Sequence, residues 1–201
     1  MAAPATASVS PTIAPELLPS GRWTIDPDHS GVGFVVHHLG ITRLRGRFTD
    51  VTGLLVMEDG RLSGTATVSA NSFDTGNEAR DRHVKGPDFL GAEMHPRIVF
   101  TVAGVRPDGD DAVVDGTLAL HGETRPVELH AVSGGTAKDP YGHDRIGLSL
   151  TTSILRSDYG ITFDRDGALV SDAVAIEIDL SLVRQPAYLR DVARRHEAST
   201  P

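Results

Sequence analysis

There is no cysteine among the 201 residues of the chain. That excludes disulfides, a thiolate nucleophile, Cys-bound zinc, iron–sulfur clusters and lipids attached through sulfur. No apolar run approaches the roughly 20 residues that a membrane-crossing helix needs, so no transmembrane segment is expected. Basic residues are outnumbered: 19 Lys and Arg face 27 Asp and Glu, a formal net charge of −8. Nucleic-acid binding depends on Lys and Arg neutralising phosphates and is not expected. Broad attachment to anionic membrane surfaces is disfavoured for the same reason. Residues 1–20 contain no Lys or Arg and no continuous apolar core, so they lack both parts of a secretory signal. The expectation is a cytoplasmic protein whose Pro/Ala-rich residues 1–20 form a disordered tail.

What is present is the composition of one folded domain, 39% hydrophobic and 23% charged, at a length that can bury a good core. From Trp23 to Phe48 the chain reads as a hairpin. Val32, Phe34 and Val36 share one strand face, Gly40 marks the bend, and Thr42 to Phe48 returns as a basic strand with Arg43, Arg45 and Arg47. Gly53 to Met57 and Leu62 to Ser69 follow as two strands joined at Asp59-Gly60, a strong hairpin signal. The period changes at Thr75: Thr75 and Glu78 have capping-box spacing, and a short helix to about Lys85 is expected, with a Glu78–Arg82 pair and a stop at Gly86-Pro87. Phe89 and Leu90 then supply an apolar plug.

Alternation resumes at Arg97. Ile98, Phe100 and Val102 share a face, as do Val114, Leu118 and Leu120 after the Asp108-Gly109 turn. Val127, Leu129 and Ala131 continue the pattern, and Gly134-Gly135 reads as a loop. Leu148 and Leu150 share a face in the next strand, and Ile176, Ile178 and Leu180 in the last. Short turns and one internal helix imply an all-β protein: an extended antiparallel barrel of about eight strands, since closure removes exposed edges. A two-sheet sandwich satisfies the same alternation. Pro186 ends the sheet region, and Ala187 to Ala198 has the pattern of a C-terminal helix. The expected division is a tail over 1–20, one barrel domain over 21–185 and a helix or tail over 186–201.

Catalytic and metal signatures are weak. There is no HExxH and no GxSxG, and adjacent His37 and His38 point to opposite strand faces. Asp28-His29-Ser30 names the members of a triad but cannot align locally in extended chain. Asp164-Arg165-Asp166-Gly167 is too short for a calcium loop and reads as a turn. Arg156 and Asp158 share a face if their segment is a strand, placed for an ion pair or a ligand head group.

The chain resembles the YceI-like family of lipid-binding, lipocalin-like proteins. The resemblance is carried by Trp23-x-Ile25-Asp26-x-x-His29-Ser30, Gly46-Arg47-Phe48, Arg80-Asp81-x-His83, Pro96-x-Ile98-x-Phe100 and Arg156-x-Asp158-Tyr159-Gly160-Ile161. Val84 and Leu90-Gly91 depart from the family pattern in the region of the lid. The resemblance implies a lipocalin-like barrel around an apolar tunnel for a polyisoprenoid, an isoprenoid quinone or a similar lipid, in a homodimer. It does not imply a catalytic site, and from the residues no metal or further cofactor is expected.

On alternation alone the apolar faces are expected to fill a core, although a small barrel can instead hold one ligand. The resemblance favours the tunnel. Its expected lining is Phe34 and Val36 from the hairpin, Phe89 from the plug, Phe100, Leu118 and Leu148 from the middle strands, and Ile176 and Ile178 from the last, with Arg156 and Asp158 at a head group. An enzyme using a His/Asp pair at the tunnel mouth is one alternative. A ligand-free stress-response scaffold with a solid core is another.

Overall fold

The computed structural model describes residues 17–164 and 168–186. Eleven strands lie among them: β1 (Gly21–Ile25), β2 (Gly31–His38), β3 (Thr42–Phe48), β4 (Val51–Glu58), β5 (Arg61–Ser69), β6 (Phe73–Asp74), β7 (Arg97–Asp108), β8 (Asp111–Leu120), β9 (Glu123–Lys138), β10 (Asp144–Leu155) and β11 (Ala173–Arg184). The helix α1 spans Glu78–Lys85. Neighbouring strands run β1-β4-β5-β7-β8-β9-β10-β11, and β11 pairs back onto β1, which closes an eight-stranded antiparallel barrel. A barrel, not a sandwich, is how this alternation resolves.

The closure differs along the axis. At one end β1 lies on β11 in the register Trp23↔Arg184 to Ile25↔Leu182. At the other end β2 takes that place, from Ala175↔Val35 to Asp179↔Gly31, and β3 and β6 continue the wall. The break between β1 and β2 is a short turn at Pro27–His29, where the Asp26 carboxylate accepts from Asp28 N–H. Proline at the first position of that turn has no N–H to lose.

The β1 end is packed solid. Trp23, Leu18 and Leu182 are fully buried there with Ile25, Met57 and Ile146, and the Trp23 indole N–H donates to Pro19 C=O at 2.8 Å. A polar clamp lies over it. The Arg145 guanidinium bridges Asp26 and Asp139, His29 sits 2.9 Å from Asp26, and His143 sits 3.0 Å from Asp139. Toward the opposite end Phe73, Leu90, Leu120, Tyr159 and Ile161 form a second apolar cluster.

Two local expectations are corrected. Asn77, not Thr75, caps α1: its side chain accepts from Arg80 N–H at 3.0 Å. Thr75 instead gives its hydroxyl to Asp81. Gly134-Gly135 is no loop, since β9 continues through it with a bulge opposite Gly147 and Leu148; glycine tolerates the extra unpaired residue of a bulge. The turn falls at residues 139–143, where the Asp139 side chain accepts from Tyr141 and His143 N–H, both at 2.9 Å. The expected C-terminal helix, most of the N-terminal tail and residues 165–167 of the Asp164–Gly167 turn lie outside the described residues. Among the described residues no helix is long and apolar enough to cross a membrane.

Candidate functional site

Beyond the packed β1 end the barrel is hollow, with a cavity of about 590 Å³. Strand alternation builds it: Val32, Phe34 and Val36 on β2 face inward, as do Ile98 and Phe100 on β7 and Leu118 on β8. Leu148 and Leu150 on β10 and Val174, Ile176, Ile178 and Leu180 on β11 complete the wall. The inward residues of β11 from Val174 to Leu180 are only partly buried, because part of their surface faces the lumen, whereas Leu182 at the packed end is wholly covered.

Why the side chains do not fill the space is visible at two glycines. Gly46 lies opposite Phe34 in the β2–β3 register, and a Cβ there would stand 2.3 Å from the Phe34 ring and 2.7 Å from the Thr75 methyl. At Gly116 a Cβ would stand 2.4 Å from the Phe100 ring. Each glycine lets a phenyl ring lie flat along the wall, an arrangement that covers the bare backbone and leaves the axis open. Phe34 also stacks on Phe73 at 5.0 Å between centroids, which fixes its ring against the wall.

The rim is formed by α1 and the chain that follows it. Phe89, His83 and Phe163 pack as an aromatic group, with ring centroids 4.8 to 5.3 Å apart. His83 Nε2 lies 3.3 Å from Asp88. Arg80 donates through Nε to the Thr75 hydroxyl at 2.7 Å and through Nη2 to Thr75 C=O at 3.2 Å. Thr75, Arg80 and His83 line the cavity, and with His38, Thr152 and Arg156 they are the polar minority in a mostly apolar surface. The sequence reading did not single out Arg80 or His83 for the site; their i,i+3 spacing on a short helix, which puts both on one face, was the available signal.

All eight apolar residues expected to line a tunnel border this cavity, with Phe89 at its rim. The Arg156–Asp158 expectation is corrected. Their segment is not a strand but a tight turn over Arg156–Tyr159, closed by Gly160 at φ +72, so residues two apart no longer share a face. Arg156 borders the cavity but is 5% exposed. Its guanidinium donates to the carbonyls of Ile161, Phe163, Asp164, Val170 and Ser171, at 2.6 to 3.2 Å. Asp158 sits outside, in a groove with Arg125 and Pro126, and only its backbone carbonyl is engaged, by Arg125 Nε at 3.0 Å. Arg156 and Asp158 form no ion pair. Next to them Tyr159 is buried, and burial followed by the Asp158 charge pushes its hydroxyl up from the ordinary tyrosine range.

Among the described residues no group of three or more His, Asp or Glu is placed to hold a metal ion. No buried side-chain polar atom among them lacks a partner.

A closed antiparallel barrel around an apolar cavity with a polar rim is a lipocalin-type architecture. The family model of the YceI-like domain matches residues 23–182, and the chain belongs to that family. A UPF0312 protein of Pectobacterium atrosepticum is 36% identical over 160 residues, covering 78% of this chain and 82% of that relative. Among solved structures, BcnA of Burkholderia cenocepacia superposes with a TM-score of 0.70 at 21% identity, over 78% of this chain and 98% of BcnA. A polyisoprenoid-binding domain from Saccharophagus degradans, implicated in plant cell wall breakdown, superposes with a TM-score of 0.62 at 19% identity, over 81% of this chain and 98% of that one.

Proposed function

We propose that the protein binds a long apolar amphiphile, a polyisoprenoid, isoprenoid quinone or similar lipid, inside the barrel, and sequesters or carries it. The observation that carries this reading is the hollow of about 590 Å³ walled by aliphatic and phenyl side chains. Phe34, Val36, Phe100, Leu118, Leu148, Ile176 and Ile178 hold the chain, with Phe89 at the entrance. Arg80 and His83 meet the polar end. Membership of the YceI-like family and the polyisoprenoid-binding name of one structural neighbour support the ligand class.

The energetics suit the assignment. Each buried CH₂ contributes roughly 0.8 kcal/mol, so about ten methylenes supply on the order of 8 kcal/mol, part of it lost to the cost of association. One exposed charged contact contributes about 0–1 kcal/mol. The chain therefore sets affinity and the head group adds selectivity.

Solvent extraction of the purified protein followed by mass spectrometry tests this. A stoichiometric isoprenoid or other long-chain lipid is the expected result; protein that extracts clean and takes up no prenol or quinone on titration contradicts it. A homodimer belongs to the proposal on family resemblance alone, and sedimentation velocity measures it. One observation favours a second reading, an enzyme acting on such a lipid: the His83–Asp88 pair, at 3.3 Å, stands at the mouth. Under that reading a bound prenyl ester or phosphate is converted, and His83→Gln stops the conversion.

A further inference from the structure

The tip joining β2 to β3 has an unusual composition for a tight turn. Ile41 N–H donates to His38 C=O at 3.1 Å, with Leu39 at φ +53 and Gly40 at φ +70 between them. Two positive φ values in succession define a type I′ turn, which favours Asn, Asp and Gly. At Leu39 a bulky side chain bears the left-handed conformation and gains little burial in return, being 50% exposed. Ile41 beside it is 83% exposed, and Leu169, whose C=O accepts from Leu39 N–H at 2.9 Å, is 46% exposed. Three large apolar side chains thus crown one rim. It is the rim of the cavity, since His38, Leu169 and Val170 also line the hollow.

A second observation is independent. Arg43 and Arg45 are exposed on the outer face of β3, opposite His37 and Val35. Arg47 on the same face pairs with Asp74 at 3.4 Å, whereas Arg43 and Arg45 make no ion pair among the described residues. In a chain of net charge −8, two uncompensated guanidinium groups beside an apolar crown run against the overall sign.

We propose that this rim docks on an anionic phospholipid bilayer. Leu39, Ile41 and Leu169 enter the boundary between head groups and acyl chains, and Arg43 and Arg45 meet lipid phosphates. Resting on the lipid-binding reading above, this turns the cavity mouth toward the pool from which an apolar ligand comes. The dimensions fit. Interfacial side chains reach roughly 5–10 Å deep, and Arg43 lies about 7 Å along the strand from Ile41, within the reach of a snorkelling side chain. Asp164 and Asp172, on the segment bonded to β2 at this rim, are met by N–H and hydroxyl donors: Leu169 and Val170 N–H on Asp164, Ser157 on Asp172. Asp74 is paired with Arg47. Acids farther away than the Debye length, about 8 Å at physiological salt, are largely screened.

The test is co-sedimentation of the full chain with phosphatidylglycerol/phosphatidylcholine vesicles and with pure phosphatidylcholine vesicles, alongside geranylgeraniol binding in vesicle-free solution. The wild type is expected to bind the anionic vesicles more tightly. Arg43→Gln with Arg45→Gln lowers that affinity roughly 30-fold, the attraction of two basic residues. Ile41→Asp abolishes docking, and so does Leu39→Asn, which gives the turn a residue it prefers and does not lower the melting temperature. All variants keep geranylgeraniol binding in solution. A wild type that binds geranylgeraniol but ignores vesicles overturns the docking surface and leaves the lipid-binding reading intact; one that binds neither overturns both. Variants that dock as the wild type does, or a self-association that Ile41→Asp removes, overturn the membrane assignment as well.

Discussion

Arg156 shows how far one residue's role depends on the backbone around it. In the sequence it stands two positions from an acid, and a strand would make them partners. The structure gives its five donors to five carbonyls of the segment that crosses the barrel end, with 5% of the residue exposed. The signal that the strand stops was Tyr159-Gly160, because glycine at φ +72 is what ends the turn. Removing the guanidinium strands several carbonyls, each costing about 1–3 kcal/mol when buried without a donor. Arg156→Ala is therefore expected to lose about 3–5 kcal/mol, a fall of roughly 10 °C or more in melting temperature. Arg156→Lys, with fewer and differently aimed donors, falls in between. An alanine variant that melts like the wild type but loses ligand would return Arg156 to the head-group role.

At the scale of elements, the strands were legible because alternation is a local property: Ile176 and Ile178 share a face whatever they pack against. The ends of elements were less so. Thr75 and Glu78 have the spacing of a capping box, but Asn77 lies next to the helix and its amide reaches Arg80 N–H, which leaves the Thr75 hydroxyl to Asp81 and Arg80. The β2–β3 pair carries a prediction about the wall. Gly46→Ala drives the Phe34 ring off its seat and into the lumen and is expected to weaken prenol binding at least roughly 10-fold, about 1.4 kcal/mol. Adding Phe34→Leu removes the colliding ring and restores part of the loss, the non-additivity expected of residues in contact. Titration of both variants beside each single change reads this directly, and strict additivity would contradict it.

The turns at the packed end carry a second prediction. Asp26 is held below the ordinary carboxylate range, chiefly by the Arg145 guanidinium. Burial raises Asp139, but the hydrogen bonds from His143 N–H, Arg145, the His143 ring and Tyr141 N–H outweigh it and hold that carboxyl far lower still. Depressed folded values mean that their stabilisation is fully present above the unfolded carboxylate pKa, about 3.9, and is lost as pH falls below it. Melting temperature is accordingly expected to be level from neutral pH down to about 5 and to fall below about 4. Arg145→Met should lower the plateau and flatten the fall. An unchanged profile in that variant would show that the clamp contributes nothing to acid sensitivity.

For the whole molecule, the fold class was readable and the cavity was not. Alternating apolar positions with short turns imply a closed sheet, and closure is what β1 and β11 achieve. Whether the interior is filled depends on where phenyl rings lie, and that depends on pairs such as Gly46 with Phe34 that meet only across strands. The helix side chains Arg80 and His83 reach the rim for the same kind of reason: their spacing puts them on one face of α1, but only the tertiary placement of α1 aims that face at the hollow. The YceI-like motifs supplied the tunnel where residue patterns favoured a filled core. The most direct test of the hollow is calorimetric affinity across prenols of increasing length. The account predicts affinity rising by up to roughly 0.8 kcal/mol per buried methylene with a negative heat-capacity change, then levelling off once the cavity of about 590 Å³ is full. Affinity independent of chain length, or no binding at any length, would contradict it.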